Sequence, residues 1–215
     1  LILLNKNHTA RWYRSKGKLF QFGFVLEESD TYDNTGIDES LVLSSKIVDQ
    51  ISVQEVAGRL KIKTAKRDAN NDLIALEAAE LTAFTQYMEL IKDAGTRLDI
   101  FSRDADDLKI TLDVYFDPLV LNSNGNRLDG SGDEPVIDAI KEFLYNLEFN
   151  GELVLMKLGN ALEAVEGVEI FDIEDAFTKF AAYGYVPMGE MYIADSGYMA
   201  LDIANTTINY IPREL

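Results

Sequence analysis

Cysteine is missing from all 215 residues. Disulfides, thiolate zinc sites and cysteine nucleophiles are thereby excluded, and the chain suits a reducing cytoplasm. Histidine occurs once, at His8, so a histidine-based triad has one possible base and no partner that the sequence points to. Basic residues are scarce: 20 Lys and Arg stand against 37 Asp and Glu, a formal charge of −17. The acidity is spread along the chain, which marks it as solvated surface and not as a tail. Nucleic acid is excluded as a partner, because phosphate binding needs clustered cations that release counterions. Arg11, Arg14, Lys16 and Lys18 form only a short basic patch. Long apolar runs are lacking as well. None approaches the ~20 residues of a membrane span, and Leu1 to Leu4 is too short for a signal-peptide core. A soluble protein with no membrane insertion is expected. Its first residue is leucine, not methionine, so the sequence reads as a piece of something longer.

What is present is a chain with 47% hydrophobic residues, enough for one substantial core or two small ones. Residues 9–24 predict a helix with Thr9 as N-cap, carrying Trp12, Leu19 and Phe22 on one face and Tyr13, Phe20 and Phe24 close by. So wide an apolar arc must be covered, either by this chain or by another subunit, which makes Trp12, Tyr13, Phe20 and Phe22 candidate contact residues. The acidic, polar stretch 27–40 predicts a loop with a turn at Asp33, Asn34 and Gly36. Residues 47–56 and 59–66 predict strands, followed by a turn at Asn70, Asn71 and Asp72. Leu81, Phe84, Met88 and Ile91 form the stripe of a helix over 77–92, with Gly95 just beyond its end.

Two strands are expected next, at 97–102 and 108–116, joined by an acidic turn at Asp104, Asp106 and Asp107. In the second, Leu108, Ile110, Leu112, Val114 and Phe116 alternate with Lys109, Thr111, Asp113 and Tyr115, the pattern of a sheet wetted on one face and covered by helices on the other. After a loop over 117–133, Pro135 fits a first helical turn, and Val136, Ile140, Phe143, Leu144 and Leu147 make an apolar stripe. Leu155, Leu158, Leu162 and Val165 mark another helix, stopped by Gly167 and followed by a strand over 168–173. From Tyr183 onward strands and tight turns dominate. One strand leads from Tyr192 and Ile193 into Asp195, Ser196 and Gly197, the chain returns over 198–203, and 206–211 closes at Pro212.

This order predicts an α+β fold, a mostly antiparallel sheet with helices on one face in a split strand-helix-strand arrangement, plus an N-terminal helix and a C-terminal β-hairpin region. Three parts are expected: residues 1–45 as helix and extended arm, 46–174 as a core able to hold two subdomains, and 175–215 as a β-rich segment.

Chemistry-bearing residues are few, and each has a plainer alternative. His8 beside Thr9 fits a helix start or surface position better than catalysis. Gly130, Ser131 and Gly132 stand between a strand and a helix like a phosphate loop, but no Lys-Ser/Thr continuation follows. Asp133 and Glu134 would put negative charge where phosphate should sit, so capping suits them better. A metal-dependent nucleotidyltransferase would use aspartates such as Asp113 and Asp117 after a Gly-Ser turn, whereas here they precede it. Asn122, Asn124, Asn126, Asp129 and Asp133 make an oxygen-rich loop, with Asn124, Asn126, Asp129 and Asp133 as weak calcium ligands. The loop lacks EF-hand spacing, and Asn124-Gly125 and Asp129-Gly130 are strong turn dipeptides. Tyr183, Tyr185, Tyr192 and Tyr198 would be the platform of a glycan-binding module, or else hairpin packing residues. No catalytic residue and no cofactor is expected.

Several runs nonetheless resemble a known family. These are Asp113-Val114-Tyr115-Phe116-Asp117-Pro118-Leu119-Val120-Leu121, Arg127-Leu128-Asp129-Gly130, Pro135-Val136 with Ala139-Ile140, and Asn146-Leu147-Glu148-Phe149-Asn150-Gly151-Glu152. Leu158, Ala161-Leu162 and Val165-Glu166-Gly167-Val168 follow in order. Further runs lie at His8-Thr9-Ala10-Arg11-Trp12-Tyr13, Tyr32-Asp33-Asn34-Thr35-Gly36 and Thr207-Ile208-Asn209-Tyr210-Ile211-Pro212. Their order and spacing are similar to the baseplate J-like (baseplate wedge) proteins of bacteriophage tails, in particular a group from Bacteroidales prophages. Each run is short, but together they cover nearly the whole chain. Family members have an upstream helical portion that this sequence lacks. The resemblance implies a virion structural protein, assembled in the bacterial cytoplasm, which links tail parts through repeated contacts with other baseplate or tail subunits and performs no turnover. A related contractile injection apparatus would use similar parts.

Overall fold

The computed structural model describes residues 8–132 and 134–213. The chain forms two compact units, Leu1–Asp104 and Ala105–Leu215. The division falls inside the 46–174 segment expected as the core, and residues 175–215 belong with Ala105 onward instead of standing apart. The α+β class holds in both units.

In the first unit Thr9 caps α1 (Ala10–Gly17), its side chain accepting from Trp12 N. This helix stops well short of residue 24. Gly17 packs so tightly that a Cβ there would lie 2.4 Å from Ile51 Cδ1, and the aromatic residues beyond it follow an irregular path. A second short helix, α2 (Glu39–Ser45), begins where only loop was expected, capped by Asp38, whose side chain accepts from Ser40 N. Then come β1 (Gln50–Val56), β2 (Arg59–Arg67), β3 (Leu73–Ile74), α3 (Ala78–Ile91) and β4 (Leu98–Phe101).

β1 and β2 form an antiparallel hairpin, β3 pairs antiparallel with the end of β2, and β4 pairs parallel with its beginning. α3 thus serves as the crossover that a parallel pair requires. Its start carries a capping box in which the Glu77 side chain accepts from the N3 backbone, and Glu77 N donates to Glu80 Oε2 at 2.7 Å. Phe84, Tyr87, Met88 and Ile91 of α3 meet Tyr13, Phe20, Ile51, Val53 and Ile62 in a single buried cluster.

The second unit is built on β5 (Asp106–Phe116), whose residues alternate strictly between buried and half-buried. The elements after it are α4 (Pro135–Tyr145), β6 (Glu152–Val154), α5 (Leu155–Glu163), β7 (Val168–Lys179), β8 (Val186–Pro187), β9 (Met191–Ile193), β10 (Met199–Leu201) and β11 (Thr207–Pro212). Pro135 sits in the first turn of α4 as expected. Glu134 is the N-cap residue, but it is left-handed (φ 59°) and its side chain makes no cap hydrogen bond, so it does not cap in the expected way; Asp133 lies outside the described residues. Leu108, Ile110, Leu112 and Val114 meet Val136, Ile140 and Leu144 of α4 and Leu158 and Leu162 of α5 in the core, which puts helices on one face of the sheet.

β7 runs antiparallel to β5 along its whole length and is twice as long as the segment 168–173 that its apolar pattern suggested. The closing segment is not a hairpin. β10 and β11 both run parallel to β5 along the same edge, one after the other, interrupted by a turn. β9 pairs with β6, away from β10. This sheet is mixed, and over the named strands of both units five pairings are antiparallel and three parallel.

Candidate functional site

The oxygen-rich loop of the second unit was the sequence's best candidate for a ligand. Structurally it is a run of side-chain-capped turns. Leu121 bridges to Arg127, and between them Asn122 Oδ1 accepts from Asn124 N (2.8 Å) and Asn126 N (3.1 Å). Asp117 accepts from Leu119 N (2.8 Å), and Asp129 Oδ1 accepts from Ser131 N (2.9 Å) and Ser131 Oγ (2.6 Å). The Ser131 bonds hold the Asp129 carboxyl below its usual range. Asp113, on the half-buried face of β5, accepts from Asn209 Nδ2 at 2.7 Å.

Gly125 fits against the Tyr210 ring, where a Cβ would lie 2.1 Å from the ring, and its φ of +81° suits glycine alone. The Gly130–Gly132 turn folds back on Arg127, with Arg127 N donating to Gly132 O at 3.2 Å. Among the described residues no three His, Asp or Glu side chains converge as a cation site. Asp113, Asp117 and Asp129 are thus tied into separate local turns or pairs, and Asp133 lies outside the described residues.

The four tyrosines proposed as a platform divide. Tyr183 is 71% exposed and stacks on Phe180 (6.2 Å). Tyr185 donates a short hydrogen bond to Asp202 while Lys109 and Lys179 lie over its ring. Burial first, and the Asp202 bond second, push its phenol well above the usual value, and the same bond helps hold Asp202 below its own. Tyr198 stacks on Phe149 at 6.1 Å. Three of the four are therefore committed to contacts within the unit.

The most organised polar group is one that sequence reasoning passed over. Asp106, expected in an acidic turn, is the fully buried first residue of β5. It accepts from Tyr192 OH (2.5 Å), Asp195 N (2.8 Å) and Ser196 N (3.0 Å), while its own N–H donates to Tyr198 O. A buried carboxylate is tolerable only when its lone pairs are met in this way. Burial, then the bond to Asp106, pushes the Tyr192 phenol far up. The signal was present: Asp106 has the same parity as Leu108 and Ile110, so the alternation extends back to it. The arrangement fixes the 192–198 segment to the start of β5.

In the first unit His8 Nδ1 lies 2.9 Å from Asp93 and its ring sits on Trp12 at 4.6 Å, a surface position beside the start of α1. Of the contact candidates, Tyr13 and Phe20 are buried in their own unit's core, Trp12 is half-buried with its ring edge-on to Tyr13, and Phe22 is exposed. A polar recess of about 440 Å³ is lined by Lys46, Asp49, Lys66, Arg67 and Glu80 among others. Four of its charges pair with one another: Lys66 meets Glu80 at 2.8 Å and Arg67 meets Asp49 at 2.9 Å. No helix among the described residues is long and apolar enough to cross a membrane. No known protein-family model matches the chain, and no curated protein matches it either.

Proposed function

We propose that the chain is a structural subunit of a phage tail baseplate, of the baseplate J-like wedge kind, that acts through protein–protein contacts and catalyses nothing. The observation that carries this reading is how the polar groups are used. Asp106, Asp117, Asn122 and Asp129 each cap or clip the chain's own backbone, a use that builds rigid turns and offers no reacting centre. Large apolar side chains meanwhile face outward in both units, among them Val25 (88% exposed), Leu90, Leu119 and Met156. Apolar side chains of this kind are available to subunit contacts. The family resemblance of the runs around β5, α4 and α5 points the same way, and it implies a protein of the virion that contacts other tail subunits. A contractile injection apparatus would draw on the same surfaces.

The test is co-expression with the tail proteins encoded beside it, followed by mass measurement and imaging of the purified particles. A defined complex of fixed stoichiometry is the expected result. A monomer that forms no complex, yet turns over nucleoside triphosphate with a divalent metal, would replace this reading with the metal-dependent nucleotidyltransferase.

A further inference from the structure

We infer that the outer side of α1, together with the turn that follows it, is a self-complementary surface on which a second copy of this chain docks about a two-fold axis. The inference rests on the assembly reading above and gives it a partner and a surface. Tyr13 and Gly17 point α1 into the core of the first unit, and both are buried. At about 3.6 residues per turn, that orientation places Arg11, Arg14 and Lys18 along one flank, Trp12 and Lys16 along the other, and Ser15 on the crest between them. Arg11, Arg14, Ser15 and Lys18 are all exposed. Lys16 Nζ donates to Asp30 O at 3.1 Å, which ties the turn of residues 27–31 to the second flank. In that turn Glu27 N donates to Thr31 O and Asp30 N donates to Glu27 O, and Glu27 and Glu28 are exposed.

Neither set of charges is neutralised within the chain. The ion pairs among the described residues include none of Arg11, Arg14 and Lys18, and none of Glu27, Glu28 and Asp30. Carboxylates outnumber cations 37 to 20, so a surface cation has many possible partners. Here three cations instead stand three and four positions apart on one flank, a spacing at which like charges repel. Between the basic row and the acidic turn lie Leu19, Phe22 and Val25, exposed although Phe20 and Gln21 beside them are buried.

A two-fold axis along the crest of α1 exchanges the two flanks. The row Arg11, Arg14 and Lys18 of each copy then faces Glu27, Glu28 and Asp30 of the other, so the same charge pairing occurs twice, with Ser15 near the axis. Leu19, Phe22 and Val25 supply the apolar contact that a charged rim lacks. An isologous contact needs a surface of this kind, with opposite signs on either side of a neutral line. A partner of one sign does not satisfy it: an acidic surface would meet the arginines but oppose Glu27 and Glu28. That pattern selects a second copy as the occupant. The overall charge of −17 does not forbid the approach, because at physiological salt it is screened beyond roughly 8 Å and the local pattern decides at contact.

Sedimentation velocity of the full chain across concentration tests this, and a shift from one copy to two is the expected result. Arg11→Glu with Arg14→Glu, and separately Glu27→Lys with Glu28→Lys, set like charge against like on both sides of the axis. Each double variant stays monomeric with an unchanged circular dichroism spectrum. Mixed in equal amounts they form a one-to-one dimer, because the reversed row of one copy meets the reversed turn of the other while the two native sets still pair. A wild-type chain that stays monomeric, a dimer untouched by either variant, or variants that do not recombine overturns the inference. If a monomeric wild-type chain still joins a complex of fixed stoichiometry with other tail subunits, the assembly reading stands and only the self-docking surface is lost.

Discussion

Asp106 shows how much one side chain can organise. Its carboxylate is met by a phenol and two amide N–H groups from a segment nearly ninety residues away in sequence. Asp106→Ala leaves those donors buried without an acceptor, so a loss of about 3 kcal/mol in urea unfolding is expected. Tyr192→Phe removes one bond and should cost about 1 kcal/mol. Equal small losses for both variants would show that the clip carries no weight. The phenols of Tyr192 and Tyr210 are raised by burial, Tyr210 to about 12 from an ordinary 10.0, with the Glu134 charge adding to its shift. The folded state holds these protons more tightly than the unfolded state. Their contribution is therefore full below pH 10 and declines as pH climbs from 10 toward 12 and beyond. Spectrophotometric titration should show a late tyrosine class whose ionisation coincides with unfolding. Asp106 also marks a limit of sequence reading: three aspartates in four residues look like a solvated turn, and only parity with Leu108 argues otherwise.

The elements that were legible are those whose pattern is self-sufficient. α3 has its cap and apolar stripe in one continuous stretch, and β5 has uninterrupted alternation, so both were readable to within two residues; α3 stops at an extended Lys92, and Gly95 lies in the turn beyond. Glu80→Ala removes half of the α3 capping box and also the partner of Lys66 at 2.8 Å. A loss of about 1–2 kcal/mol in unfolding free energy is expected. Glu80→Gln, which can still bond Glu77 N, should recover part of it. Elements defined by distant partners were harder to see. α1 ends at Gly17 because Ile51 and Phe84 crowd that point, a fact of tertiary packing. The second half of β7, with Glu174 and Asp175, has little apolar pattern and is a strand because β5 lies alongside it. β9 and β10 look like a hairpin locally but pair with β6 and β5 instead, since nothing in a short strand says which neighbour it will choose. Within the 117–132 loop, Asn122 and Asp129 make the side-chain-to-backbone turn bonds that its Asn-Gly and Asp-Gly dipeptides suggest.

At the scale of the whole molecule, two separate buried clusters imply two cooperative units. Calorimetry should resolve two transitions. Phe84→Ala should lower one of them by roughly 10 °C or more, and Leu112→Ala should lower the other by a comparable amount. A single transition displaced by both substitutions would contradict that independence. The charge of −17 acts on everything at once: added salt should raise both transitions and strengthen any association, because it screens self-repulsion. The position of β5 has a consequence in time. It is the first strand of its unit and the partner of β10 and β11, so Asp106–Leu108 must wait for Met199–Leu201, and Thr111–Phe116 for Thr207–Pro212, before that edge is closed. The first unit has a buried cluster of its own, formed from residues before Asp104. The second is a slow folder of high contact order, with an open apolar strand exposed until the final residues arrive. A host cell making this protein in quantity would meet that intermediate, and chaperone demand should follow the second unit alone.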